Sequence, residues 1–185
     1  MNWLDALPIV LVIAYVALGF FTGVLRRLIG LIALYLAFVG ATNMGLQAGG
    51  ILQQSSSLET PDARIYGFFG IVIAVILIVE GAAQLASSQI QIGPLVFNRV
   101  LGVAIGLVTA LMLSVLITSE LAAAGNPFGG GALDPLQQGI RGSVRGSHIA
   151  APLVTAIGKP IVTIFQLALP GDPQIYFSQS PVPVS

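Results

Sequence analysis

Residues 19–41 read GFFTGVLRRLIGLIALYLAFVGA, with Arg26 and Arg27 side by side between two long apolar segments. Upstream, ALPIVLVIAYVALGFFTGVL (6–25) carries no charge, which meets the requirement of about 20 mainly apolar residues for a helix that crosses a bilayer. Downstream, LIGLIALYLAFVGATNMG (28–45) gives a second, slightly shorter segment. The arginines therefore read as the turn of a tight helical hairpin, held at the cytoplasmic face by two fixed positive charges in a short link. Pro8 falls in the first turn of the first helix, where its missing N–H does little harm.

Composition supports a membrane protein. The chain has 185 residues, of which 56% are hydrophobic and 8% charged, and its mean hydropathy is +0.96. A soluble domain carries about 25% charged residues, so this chain has too few to cover a water-facing surface. Seven basic and seven acidic residues cancel, which gives no argument for nucleic-acid binding. The absence of cysteine excludes a disulfide framework, a thiolate metal site and a cysteine nucleophile. The start, MNWLDALPIVLV, lacks the positive n-region of a secretory signal, so the first apolar run is expected to be a retained membrane helix.

Two further spans follow. IYGFFGIVIAVILIVEGAAQLA (65–86) contains Glu80, and VLGVAIGLVTALMLSVLITS (100–119) stops at Glu120. The expected organisation is a four-helix transmembrane domain over 1–120, with spans at about 5–25, 28–45, 65–86 and 100–119. A Gly/Pro-rich loop is expected over 121–148, and an extended tail over 171–185. The segment 149–170 is apolar, but Pro152, Lys159 and Pro160 argue against a fifth span, since a central Lys costs about 2.5–3.5 kcal/mol on insertion scales. It reads as an amphipathic interfacial or re-entrant helical piece. The fold class is thus all-α, with two helical hairpins.

The short links hold Arg26, Arg27 and Arg99, which places them in the cytoplasm and both termini on the non-cytoplasmic side; Arg141, Arg145 and Lys159 in the tail oppose this orientation. Glu80 is the one carboxylate set inside a span. An intramembrane acid prompts a functional hypothesis such as ion or proton handling. The structural alternative is an ion pair with Arg27 or Arg99, or a side chain reaching for the headgroups. Gln84 and Ser88 extend a polar stripe from Glu80 at four-residue spacing.

Lipid tails give no hydrophobic drive for helices to associate, so small residues that permit close backbone approach do more of that work. In the fourth span Gly102, Gly106, Ala110, Ser114 and Thr118 recur every fourth residue. Gly19 and Gly23 in the first span and Gly30 in the second are further packing candidates, with Gly19, Gly23 and Gly30 expected to bring the hairpin's helices together.

Catalytic chemistry is missing. A lone histidine, His148, with no cysteine cannot build an ordinary metal site. Ser147, His148 and Asp134 could form a Ser-His-Asp set on paper, but no motif supports it. GNPFGGG lacks the Lys-Ser/Thr of a phosphate loop, and no cofactor signature is present.

The chain resembles the colicin V production protein (CvpA) family of bacterial inner-membrane proteins over roughly residues 2–170. The resemblance is carried by NWLD (2–5), by GFFTGVLRRLIGLIALYLAF (19–38), by FNRVLGVAIGLVTAL (97–111) with its Arg, Leu-Gly and second Gly, and by the Ser-to-Pro start SHIAAPL (147–153). Two features depart from the family pattern: Arg27 and Leu28 stand where an acidic residue is common, and Glu80 is unusual for the third span. The resemblance implies a multi-pass inner-membrane protein, not an enzyme and without cofactor, with an accessory or scaffold role in toxin production or export and in envelope integrity. Some relatives fuse this module to a periplasmic serine protease, and these 185 residues carry no such domain. The other functions weighed are a structural subunit of a larger membrane complex, such as a bioenergetic one, and an oligomeric channel or transporter subunit using Glu80. The expected partners are the lipid bilayer and either other membrane proteins or further copies of the chain.

Overall fold

The structure is a computed structural model, and it describes residues 2–87, 95–125 and 132–169. Five helices follow in order: α1 (Trp3–Ser55), α2 (Thr60–Ser87), α3 (Leu95–Ala124), α4 (Pro135–Arg145) and α5 (Ala150–Ile164). No strand occurs among the described residues, and the fold is all-α. Ser88, the expected loop residues 126–131 and the expected tail 171–185 lie outside the described residues.

Three helices are long and apolar enough to cross a membrane: Trp3–Ser55, Pro61–Ala83 and Val96–Ala124. The pair α4 and α5, bent by 86°, passes the same test as one broken span or re-entrant loop, giving up to four spans with α1 counted once. Ile73, Leu77 and Ile78 on α2 and Val96, Phe97 and Val100 on α3 are each more than half exposed. So much outward apolar surface suits hydrocarbon rather than water.

A straight helix of 53 residues would be about 80 Å long, against a hydrocarbon core of about 30 Å. The chain breaks at Gly23, where φ is 76° and ψ is −178°, so α1 consists of two arms, 3–22 and 24–55. Each arm is long enough to cross by itself. The expected turn at Arg26–Arg27 is therefore displaced: both arginines are helical and stand in the first turns of the second arm. The physical reason is backbone freedom. A positive φ is open to glycine and is strained for arginine.

The described residues divide into two compact units, a central one (Val12–Leu111) and a terminal one (Met1–Leu11 with Met112–Ser185). In the central unit, residues of the first arm pack on α3. A Cβ added at Gly19 would overlap the Gly102 carbonyl, and one added at Gly106 would overlap the Tyr15 carbonyl. As the residue number falls on one helix it rises on the other, so the two run antiparallel. The second arm pairs with α2 in the same sense: Gly67 lies against Gly45 and Gly49, Gly40 faces Ile71 and Val75, and Gly30 faces Glu80. Phe38, fully buried, meets Phe68 edge-on at 6.0 Å between centroids. The glycines of α1 thus serve α3 and α2 rather than a contact between its own arms, and Ala110 is fully buried on α3.

In the terminal unit the core gathers Leu4 from α1, Val115 and Leu116 from α3, Ile140 and Val144 from α4, and Val154 and Val162 from α5. Residues 135–145, expected within a loop, are helical. Asp134 accepts from the Gln137 N–H at 2.7 Å, and the Gln137 side chain accepts from the Asp134 N–H at 3.3 Å. This capping box, with Pro135 at the start, gives the helix its N-terminus. α5 falls inside the segment expected to be an interfacial or re-entrant helix.

The backbone contacts at Gly102 predict that Gly102→Val lowers stability in mild detergent by about 2 kcal/mol, since the new methyl groups have no space. Gly70, which faces open space, serves as the control: Gly70→Ala should stay within about 0.5 kcal/mol of the parent in the same thermal melt.

Candidate functional site

The first four N–H groups of a helix have no partner within the helix and must find acceptors elsewhere. At α5 the local N-cap residue is Ile149, which has no side-chain acceptor. Asp5 supplies one from the far end of the sequence. Its Oδ1 accepts from the backbone N–H groups of His148 at 3.0 Å, Ile149 at 2.9 Å and Ala150 at 3.4 Å. The Ser147 hydroxyl donates to the same oxygen and accepts from the N–H groups of Ala150 at 2.9 Å and Ala151 at 3.1 Å. Asp5 is 1% exposed and Ser147 8%. A carboxylate at a helix N-terminus is favoured by the helix dipole as well as by these bonds, and burial strengthens both.

The residues around Asp5 complete this latch. Asn2 donates from its side chain to the Ser143 carbonyl, and the Trp3 indole N–H donates to the Ser143 hydroxyl at 2.7 Å. Leu4 is fully buried. All four residues of NWLD therefore take part, three by hydrogen bonds to positions 143–150 and one by packing.

A second polar cluster lies in the central unit. Arg27 is 2% exposed, and its Nη1 stands 3.7 Å from Glu80 Oε1. The guanidinium also lies 5.6 Å from the Tyr15 ring centroid, and Tyr15 interacts with Glu80 as well. In an unbroken helix Tyr15 and Arg27 would be about 18 Å apart along the axis, so this contact exists because the chain folds back at Gly23. Arg99 is not part of the cluster: its guanidinium lies over the Phe20 ring at 5.2 Å. Asn98 beside it closes the break, with Oδ1 accepting from the Val24 N–H at 2.8 Å. That bond supplies the N-cap which the second arm, starting directly after Gly23, cannot draw from its own sequence.

The Ser147, His148 and Asp134 set is not assembled, since Ser147 is engaged with Asp5 and Asp134 with Gln137. Among the described residues no group of three or more His, Asp or Glu side chains could hold a metal ion. Glu120, which reads in the sequence as an outer end marker, is 7% exposed, and Thr118 and Ser119 beside it are also buried. Reading the sequence did not find Tyr15, Asn98 or the union of Asp5 with Ser147. Only NWLD and SHIAAPL signalled the latch, as two separate stretches.

The fold and these clusters define a multi-pass, all-α membrane protein with two polar clusters built from distant parts of the chain. The chain belongs to the colicin V production protein family, whose family model matches residues 4–157. No curated protein and no solved structure matches it.

Two outcomes follow from the geometry. Asp5→Ala removes the acceptor of Ser147 and of three amides, and should cost about 2–3 kcal/mol in detergent unfolding. Hydrogen exchange should speed up selectively at the amides of residues 148–150; unchanged exchange there would remove the latch from the account. Glu80→Gln leaves Arg27 buried without a counter-charge and should cost about 3–5 kcal/mol, whereas Arg27→Met combined with Glu80→Leu should recover most of that loss in the same unfolding assay.

Proposed function

We propose that this chain is a non-enzymatic scaffold or accessory protein of the bacterial inner membrane, serving toxin production or export and envelope integrity. The observation that carries the reading is membership of the colicin V production protein family over residues 4–157. The geometry agrees with it. The best-built polar site is a helix cap, in which each Asp5 contact satisfies a backbone or hydroxyl donor of the chain itself. A scaffold works through contacts with other proteins, so its partners are other membrane proteins or further copies of the chain. We place both termini on the non-cytoplasmic side, because Arg26, Arg27 and Arg99 gather at the helix starts beside the break at Gly23 and count as the cytoplasmic charge.

Purification from native membranes in a mild detergent, followed by mass spectrometry, tests the scaffold. A stoichiometric membrane partner or a defined oligomer is expected, and a chain that runs alone as a monomer would overturn the reading. Orientation is tested separately with Gln138→Cys, an exposed position on α4. An impermeant thiol reagent should label it from outside the cytoplasm, and protection there with labelling from the cytoplasmic side would reverse the topology.

A further inference from the structure

Among the described residues of the terminal unit, Asp5 and Glu120 are buried and Asp134 is half-buried. Asp5 is consumed by the latch, Glu120 is buried and Asp134 caps α4. The fully exposed charges of this unit, among the described residues, are basic, Arg145 on α4 and Lys159 on α5, with Arg141 half-buried one turn before Arg145. A sequence with no net charge therefore shows a positive local face.

α4 presents that face in an organised way. Gln137, Ile140 and Val144 are buried, so the opposite side, with Gln138, Gly142 and Arg145, faces outward, while Arg141 is half-buried at its flank with its backbone against Gly125. Arg141 and Arg145 are one turn apart, and Gly142 lies beside them on the more exposed side. A Cβ added at Gly139 or Gly142 would meet nothing within 4 Å. Two glycines in an 11-residue helix cost about 2 kcal/mol relative to alanine, and no packing among the described residues accounts for them. Bare backbone beside two arginines admits something from outside to close approach.

The level of this face is set by Trp3. Its indole is bonded to Ser143 on α4, while its side chain is 56% exposed at the point where α1 begins its apolar run. Tryptophan in that position marks a membrane–water boundary. α4 is thus held where phospholipid headgroups lie, with Arg145 outward and Arg141 at its flank, and guanidinium groups bind phosphate oxygens through paired hydrogen bonds.

We propose that the outward side of α4, with Arg145 and the half-buried Arg141 beside Gly142, seats the phosphate of an anionic phospholipid headgroup at the membrane boundary. The site does not depend on the scaffold role, and its test does not read that role.

The purified full-length chain is examined by native mass spectrometry and thermal melting, with phosphatidylglycerol, cardiolipin, phosphatidylcholine or inorganic phosphate added. Phosphatidylglycerol and cardiolipin should give retained adducts and a higher melting temperature, while phosphatidylcholine gives neither. The double variant Arg141→Gln with Arg145→Gln should lose at least about tenfold in adduct occupancy, whereas the exposed Arg64→Gln of the central unit should retain it. Gly142→Leu keeps both charges and raises helix propensity, so its lipid-free melting temperature should hold or rise while its adducts fall. Equal adducts with phosphatidylcholine, or full binding by the double variant or by Gly142→Leu, would overturn the proposal. Stabilisation by inorganic phosphate equal to that by phosphatidylglycerol would also overturn it, since the site would then recognise a free anion.

Discussion

A continuous apolar helix far longer than the bilayer is thick has to break, and the break at Gly23 is the constraint on which the central unit depends. A left-handed backbone angle ends one arm, and the next residue, Val24, starts another with an N–H that has no helical partner. Asn98 of α3 accepts from that N–H. The break and its cap come from different helices, so neither is stable without the packing that joins them. Tyr15 and Arg27 can meet only because of this fold-back, and with them comes the pairing to Glu80.

Within that constraint, association is driven by shape. Gly19 against Gly102, and Gly106 against the Tyr15 carbonyl, bring backbones to distances that no larger side chain would permit. In hydrocarbon these contacts supply van der Waals attraction that larger residues would block. The cost of charge in such surroundings explains why Arg27 and Glu80 are kept together, and why Arg99 lies over an aromatic ring where it has no carboxylate.

The terminal unit follows a different logic. Its organising group is a carboxylate placed at the start of a helix 145 residues further on in sequence. Asp5 holds the N-terminus of α5, Ser147 bridges the two, and Asn2 and Trp3 attach α4. Because Asp5 and Glu120 are buried, the fully exposed charges of its described residues are basic. Net charge alone would have hidden this, since balanced totals say nothing of where each sign is spent.

Much of this was legible beforehand. The apolar runs, the charge-poor composition and the small-residue stripes determined an all-α membrane protein, because length and hydropathy are local properties that a bilayer reads directly. NWLD, FNRVLGVAIGLVTAL and SHIAAPL pointed to the family. A capping box at Asp134 and Gln137 also stood in the sequence, though two glycines and a proline made the segment read as loop. Tertiary structure decided the rest. It moved the turn from Arg26–Arg27 to Gly23, because the arginines could stay helical while only glycine could adopt the bend. It chose Arg27 over Arg99 for Glu80 and joined Asp5 to Ser147, because spacing along a chain does not say which distant groups will share a buried site.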